Sequence, residues 1–206
     1  GTLAGTVTEP CTDYTIFSGG TYSLTAGQQT TVVVRFTPTI SGSQPCSVDT
    51  GNEGCSDVAC TGTGYPPPLC QVSPLALDFG SVEIGSTADR SFTITNTGGG
   101  TLSGTVAETC TDYTIFSGGT YSLTAGQQTT VVVRFAPTAS GPLPCSVDTG
   151  NEGCSDVACS GSGYPPPACQ VSPLALDFGS VEIGSTADRS FTITNTGGGT
   201  LSGTVA

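Results

Sequence analysis

The sequence predicts an all-β chain of tandem antiparallel β-sandwiches, each of about seven strands, joined by short Pro-rich linkers. Three observations predict it. Apolar residues alternate with a period of two, 30 Gly and 14 Pro punctuate the alternation, and a long internal repeat has the length of one sandwich.

The repeat comes first because it sets the organisation. The run CQVSPLALDFGSVEIGSTADRSFTITNTGGGTLSGTVA begins at Cys70 and recurs unchanged from Cys169, a period of 169 − 70 = 99 residues. Gly1 aligns with Gly100 and Gly199. The aligned copies differ mildly, at Ala4/Ser103, Thr8/Ala107, Pro10/Thr109, Thr37/Ala136, Ile40/Ala139, Ser43/Pro142, Gln44/Leu143, Thr61/Ser160, Thr63/Ser162 and Leu69/Ala168. Such a period is too long for a solenoid and suits a self-sufficient β-sandwich.

Tyr65-Pro66-Pro67-Pro68 and Tyr164-Pro165-Pro166-Pro167 mark the joints. Consecutive prolines favour extended polyproline II and act as short stiff spacers. The expected boundaries are therefore 1–64, the later part of a preceding repeat; 65–69, a Pro linker; 70–163, a complete repeat; 164–168, a second linker; and 169–206, the opening of a following repeat. Each terminal fragment would expose half a core. That condition suits a window on a longer polymer, the reading favoured here, or two ends that complete each other between subunits.

Within the complete repeat, Leu75, Leu77 and Phe79 alternate before Gly80 and the Val82–Gly85 stretch turns the chain. Phe92 and Ile94 alternate with Thr93 and Thr95 before the turn at 96–100. Leu102, Gly104 and Val106 follow, then Tyr113–Phe116, Tyr121 with Leu123, and Val131, Val133 and Phe135. Cys145–Asp148 and Cys154–Cys159 flank a Gly-Asn-Glu-Gly loop. This makes seven or eight strands and no amphipathic helix.

Composition narrows function. Four Lys plus Arg against 16 Asp plus Glu give a net charge of −12, so the chain lacks the basic face that nucleic acid requires. It contains no His, which removes His-assisted nucleophiles and imidazole metal sites. No apolar run approaches the ~20 residues of a membrane helix, so no membrane insertion is expected within this stretch. Catalytic residues, cofactor-binding residues and resident metal are all expected to be none.

Ser73–Val82 (SPLALDFGSV), Phe92–Gly98 (FTITNTG), the Ser122–Gln127 stretch with Val131–Pro137, and the closing Ser160-Gly161-Ser162-Gly163 resemble the immunoglobulin-like abnormal-spindle/Hydin domain. Closer still, they resemble bacterial cysteine-rich tandem copies of it found in large predicted secreted proteins. The resemblance spans the whole repeat, with the blocks in order. It implies an immunoglobulin-like sandwich related to major sperm protein, and it implies no catalytic residues. Eukaryotic members occur in ciliary and centrosomal proteins. The cysteine load here departs from them and points away from an intracellular setting.

Each repeat carries five cysteines: 11, 46, 55, 60 and 70, then 110, 145, 154, 159 and 169. In an acidic, Thr-rich sandwich these point to disulfides and an oxidising compartment. A Cys₄ metal or iron–sulfur site would need two closely spaced pairs, and Cys154–Cys159 has no second pair of its kind. A single hairpin register pairs Val147 with Val157 and Cys145 with Cys159, so Cys145–Cys159 and its counterpart Cys46–Cys60 are expected disulfides. In immunoglobulin topology the first and last strands can run parallel, which makes Cys70–Cys154 a third candidate. Cys11 and Cys110 are then the odd cysteines, available for an inter-domain or inter-chain bridge or buried as small hydrophobes. A Cys159–Cys169 bridge across the linker is a further option.

Other candidates have plainer readings beside them. Asp148, Asn151, Glu152 and Asp156, like Asp49, Asn52, Glu53 and Asp57, could hold calcium or simply form a solvated turn. Tyr113, Phe116 and Tyr121 could form a sugar platform or fill the core. Arg35, Arg90, Arg134 and Arg189 are expected at the surface or in ion pairs. Gly98-Gly99-Gly100 opens no helix and is a turn, not a phosphate loop.

The expected function is structural: a secreted or cell-surface fibre, stalk or filament that associates with itself or continues into identical repeats. The alternative is a multivalent adhesin or carbohydrate-binding array. An enzyme would have to be assembled from scattered carboxylates.

Overall fold

A computed structural model describes residues 1–204; the last two residues of the expected 169–206 fragment lie outside the described residues. Every regular element described is a β-strand. The chain divides into two compact units, one of residues 1–68 with 98–100 and one of 69–97 with the chain from Thr101 onward. The expected 70–163 repeat thus lies in one unit with the expected following fragment, apart from the Gly98–Gly100 turn.

The first unit holds β1 (Leu3–Thr6), β2 (Tyr14–Ser18), β3 (Thr21–Leu24), β4 (Val33–Phe36), β5 (Gly42–Val48) and β6 (Val58–Gly64). They pair two by two as β1 with β3, β2 with β4, and β5 with β6, all antiparallel.

The second unit contains the complete sandwich. Its strands are β7 (Cys70–Ser73), β8 (Ala76–Glu83), β9 (Ala88–Asn96), β10 (Thr101–Thr105), β11 (Ala107–Glu108), β12 (Tyr113–Ser117), β13 (Thr120–Thr124), β14 (Gln128–Phe135), β15 (Gly141–Pro142), β16 (Cys145–Asp148) and β17 (Val157–Tyr164). One sheet has the order β12-β14-β9-β7; the other has the order β11-β16-β17-β15, with β8 parallel to β17. A β10–β13 ribbon completes the sandwich. The strands outnumber the expected seven or eight because the two-residue β11 and β15 extend the second sheet and β7 adds an edge strand to the first. Beyond the sandwich, β18 (Cys169–Ser172) pairs antiparallel with β19 (Thr192–Asn195).

The period-two pattern works as expected: Leu77, Phe79, Phe92, Ile94, Val131, Val133, Phe135, Val147 and Val157 all face one buried core. Phe79, Tyr113 and Phe135 lock the two sheets together. Their ring centroids lie 4.7 to 5.7 Å apart in tilted and edge-on arrangements, geometries worth about 0.5–1.5 kcal/mol per pair beyond burial. Gly161 on β17 is required by this packing, since a Cβ there would sit 2.6 Å from Phe135 Cε1.

Candidate functional site

Among the described residues, the cysteines and the Pro linkers carry the most distinctive chemistry and geometry. The hairpin register expected from the sequence is present, with Cys145 opposite Cys159 and Cys46 opposite Cys60. The sulfurs bond elsewhere. The expected Cys145–Cys159 and Cys46–Cys60 bridges are replaced by Cys110–Cys145 and Cys11–Cys46, each with Cα atoms 6.0 Å apart. Residues directly opposite on antiparallel strands hold their Cβ atoms ~4.5–5.5 Å apart, wider than the ~3.8 Å a disulfide prefers. Cys110 escapes that constraint because it lies in the turn before β12, where its carbonyl accepts the Tyr113 N–H at 3.1 Å. Cys11 does the same before β2, accepting from Tyr14 at 3.1 Å. Cys11 and Cys110 are therefore not the odd cysteines.

The third bridge joins Cys70 to Cys154, with Cα atoms 5.1 Å apart. The parallel pairing of β8 with β17 brings the start of the sandwich beside the loop that precedes its last strand. Cys55, Cys60, Cys159 and Cys169 carry no disulfide. Cys159 is buried in the core, and burial pushes its thiol up to about 11. It packs as a small hydrophobe and is a poor nucleophile at neutral pH.

The remaining candidates have structural duties. Tyr113 and Tyr121 are buried, and their hydroxyls donate to Leu143 O (2.7 Å) and Thr149 O (3.0 Å). Burial, then the nearby Cys159 and the Asp112 and Asp78 carboxylates, pushes the Tyr113 phenol up to about 12. Only Phe116 of the three aromatics is exposed, and it is covered on one face by the Arg134 guanidinium, 3.7 Å from the ring centroid. No aromatic platform forms from the three. Arg134 also donates twice to the Asp89 carboxylate (2.8 and 2.9 Å), which holds that carboxyl below its ordinary value. Arg35 lies over Phe17 at 3.6 Å, while Arg90 and Arg189 donate to backbone carbonyls of Asp78 and Asp177.

The acidic loop is organised as turns. Asp148 Oδ1 accepts the Gly150 N–H, Asn151 Oδ1 accepts the Gly153 N–H, and Asn151 Nδ2 donates to Ser103 O. Among the described residues, no three His, Cys, Asp or Glu side chains gather closely enough to hold a metal ion.

The second Pro linker proves to be held at both ends. Tyr164 extends β17 in register with Glu83, and its carbonyl accepts the Ile84 N–H at 2.8 Å. Pro166 O then accepts the Gly198 N–H at 3.2 Å, and Ala168 O accepts the Thr196 N–H at 2.8 Å. A Cβ at Gly197 or Gly198 would collide with Pro166 O or Pro165 O, so the triglycine turn is the surface on which the linker lies. Asn195 Oδ1 accepts the Ala168 N–H, as Asn96 Oδ1 accepts that of Leu69. Sequence reasoning gave neither Asn nor the glycines this role. The available signal was a Gly-rich turn beginning one repeat-constant distance after each proline run.

Residues 68–148 match the family model of the HYDIN/CFA65/VesB-like Ig-like domain. This stretch is an Ig-like domain. Similar solved structures include the ASH/PapD-like domain 7 of human CEP192, at 12% identity and TM-score 0.40, covering 47% of this chain and 86% of that one. A Porphyromonas gingivalis W83 protein of unknown function is 16% identical with TM-score 0.39, covering 78% and 84%. WR4, a C. elegans MSP family member, is 10% identical with TM-score 0.34, covering 46% and 97%. These TM-scores are too low to support any functional argument. No curated protein sequence matches the chain.

Proposed function

We propose that this chain is part of a secreted or cell-surface fibre, stalk or filament made of near-identical, disulfide-stapled Ig-like repeats, and that it has no enzymatic activity and no cofactor. One observation carries the reading: backbone pairing runs through the second linker, from the Tyr164 pairing with Glu83 to the Gly198–Pro166 and Thr196–Ala168 hydrogen bonds. A linker bonded on both sides transmits tension and orientation from one repeat to the next, where a flexible string would not. The three disulfides support the same reading, since they fit an oxidising environment and limit how far a loaded repeat can extend. Identical repeats also present identical contacts, which suits continuation along a thread.

Pulling single chains between their ends tests this. With disulfides intact, the central repeat should lengthen only by the chain outside the Cys70–Cys154 loop, roughly 15 residues or about 50 Å at ~3.4 Å per residue. Reductant should then release several times that length. Full extension without reductant would remove the mechanical basis of the proposal. Specific binding of the intact chain to a glycan array would move the reading to the multivalent adhesin.

A further inference from the structure

The fifth cysteine of the central repeat has a facing partner and no bond. Cys145 and Cys159 stand directly opposite each other on the β16–β17 hairpin. Both lie on its core face, where Val147 and Val157 are fully buried, Cys159 is 3% exposed and Cys145 packs at the margin. Yet the Cys145 sulfur is bonded to Cys110, from the turn before β12, and Cys159 stays a thiol. The free thiol therefore faces the half of the disulfide that sits on its own hairpin. The arrangement recurs in the first unit, where Cys46 stands opposite Cys60, bonds Cys11 and leaves Cys60 unbonded.

The two partners open to Cys145 differ in how soon the chain can bring them to it. Cys159 is 159 − 145 = 14 residues away across one hairpin, whereas Cys110 is 35 residues away. Loop closure favours the nearer contact by roughly fourfold, from the three-halves power of the length ratio. Hairpins also form within ~1–10 μs, ahead of longer-range pairing. The cross-strand bridge is nevertheless the poorer of the two, because opposite residues hold their Cβ atoms farther apart than a disulfide prefers. Strained disulfides are the labile ones, open to exchange.

We propose that Cys159 is an exchange thiol for folding: it bonds Cys145 first, within the hairpin, and yields it to Cys110 when the turn before β12 docks. The first bond consumes one low-molecular-weight disulfide. The Cys145 thiolate attacks it, releasing one small thiol and leaving a mixed disulfide; the Cys159 thiolate then attacks the Cys145 sulfur and releases the second. Two protein thiols lose two protons and two electrons, and one small disulfide becomes two thiols. In the second step the Cys110 thiolate attacks the Cys145 sulfur. The Cys110–Cys145 bond forms, the Cys145–Cys159 bond breaks, and Cys159 leaves as a thiolate that takes a proton from solvent, with no net oxidation. Burial closes the exchange. Inside the core the Cys159 thiol is pushed up to about 11, so it stays protonated and does not attack Cys145 again.

The exchange concerns how a repeat acquires its bonds and stands whether or not the chain forms a fibre. It is tested by refolding the reduced 206-residue chain with glutathione disulfide, quenching samples in acid, alkylating them and cleaving after Asp and Glu. Cys110, Cys145 and Cys159 then lie on peptides 109–112, 113–148 and 157–177. The expected early species joins 113–148 to 157–177, and it declines as the link between 109–112 and 113–148 rises. Cys159→Ala should abolish the early species, which assigns it to Cys159 and not to Cys169 on the same peptide. It should also slow the Cys110–Cys145 bond by roughly fourfold. Its final map, with Cys110–Cys145 and Cys70–Cys154 in place, verifies that it folds. Cys110→Ser should trap the early bond, so that 113–148 stays joined to 157–177 at the end point. Absence of the early link at every time in the wild type, an unchanged rate in Cys159→Ala, or a Cys145 that stays alkylatable in Cys110→Ser would each overturn the proposal.

Discussion

Cys70 and Cys154 are bonded across 84 residues of sequence, and the bond ties the first strand of the central sandwich to the loop before its last. A loop of that size removes about 4–5 kcal/mol of chain entropy from the unfolded state. Cys154→Ser should therefore lower the unfolding free energy by up to about 4 kcal/mol, with Cys110→Ser, whose loop spans 35 residues, costing somewhat less. Guanidinium titration of the two variants checks both the size and the order.

Alkaline pH should destabilise the fold in two steps. The Cys159 thiol, ordinarily near 9.0, is pushed up to about 11 by burial, so the folded state keeps a proton that the unfolded state gives up. Its contribution is whole below about pH 9 and is lost as pH rises through about 11. Tyr113 repeats the pattern between 10.0 and about 12. Urea midpoints measured against pH should fall across this range, and the early part of the fall should flatten in Cys159→Ala.

Gly161→Ala should destabilise the repeat by about 1–3 kcal/mol, because the new Cβ would press on the Phe135 ring from a strand that cannot retreat. Ser160→Ala, exposed beside it, should change stability by less than about 0.5 kcal/mol. Thermal unfolding of the pair separates overpacking from a general intolerance of β17.

The Asp89–Arg134 pair is bidentate but exposed. Asp89→Asn should destabilise the fold only slightly, and the loss should shrink in high salt. Because Arg134 holds the Asp89 carboxyl below its ordinary 3.8, the pair's contribution is present above that pH and fades as pH falls. Denaturation at pH 7 and pH 3, in low and high salt, measures this.

How much was legible follows from the range of the forces involved. Alternation of Val131, Val133 and Phe135 gave the core face, because side-chain direction in a strand is local. The Cys145–Cys159 register was equally readable, as it needs only hairpin symmetry. The bond from Cys145 to Cys110 was not, since it depends on where the turn before β12 lies in space. The triglycine turn was legible as a turn, but its role beneath the linker rests on contacts with Pro165 and Pro166 carbonyls that no side-chain pattern encodes. Tyr113 and Tyr121 left the sugar-platform alternative once both hydroxyls were found satisfied by backbone carbonyls inside the sandwich.

The central claim is that this chain builds an extracellular thread. Immuno-electron microscopy of the source cells, with antibody raised against the 70–163 repeat, tests it most directly. The account predicts label running along continuous filaments outside the cell. Label confined to the cell interior, or scattered over the surface without filaments, would contradict it.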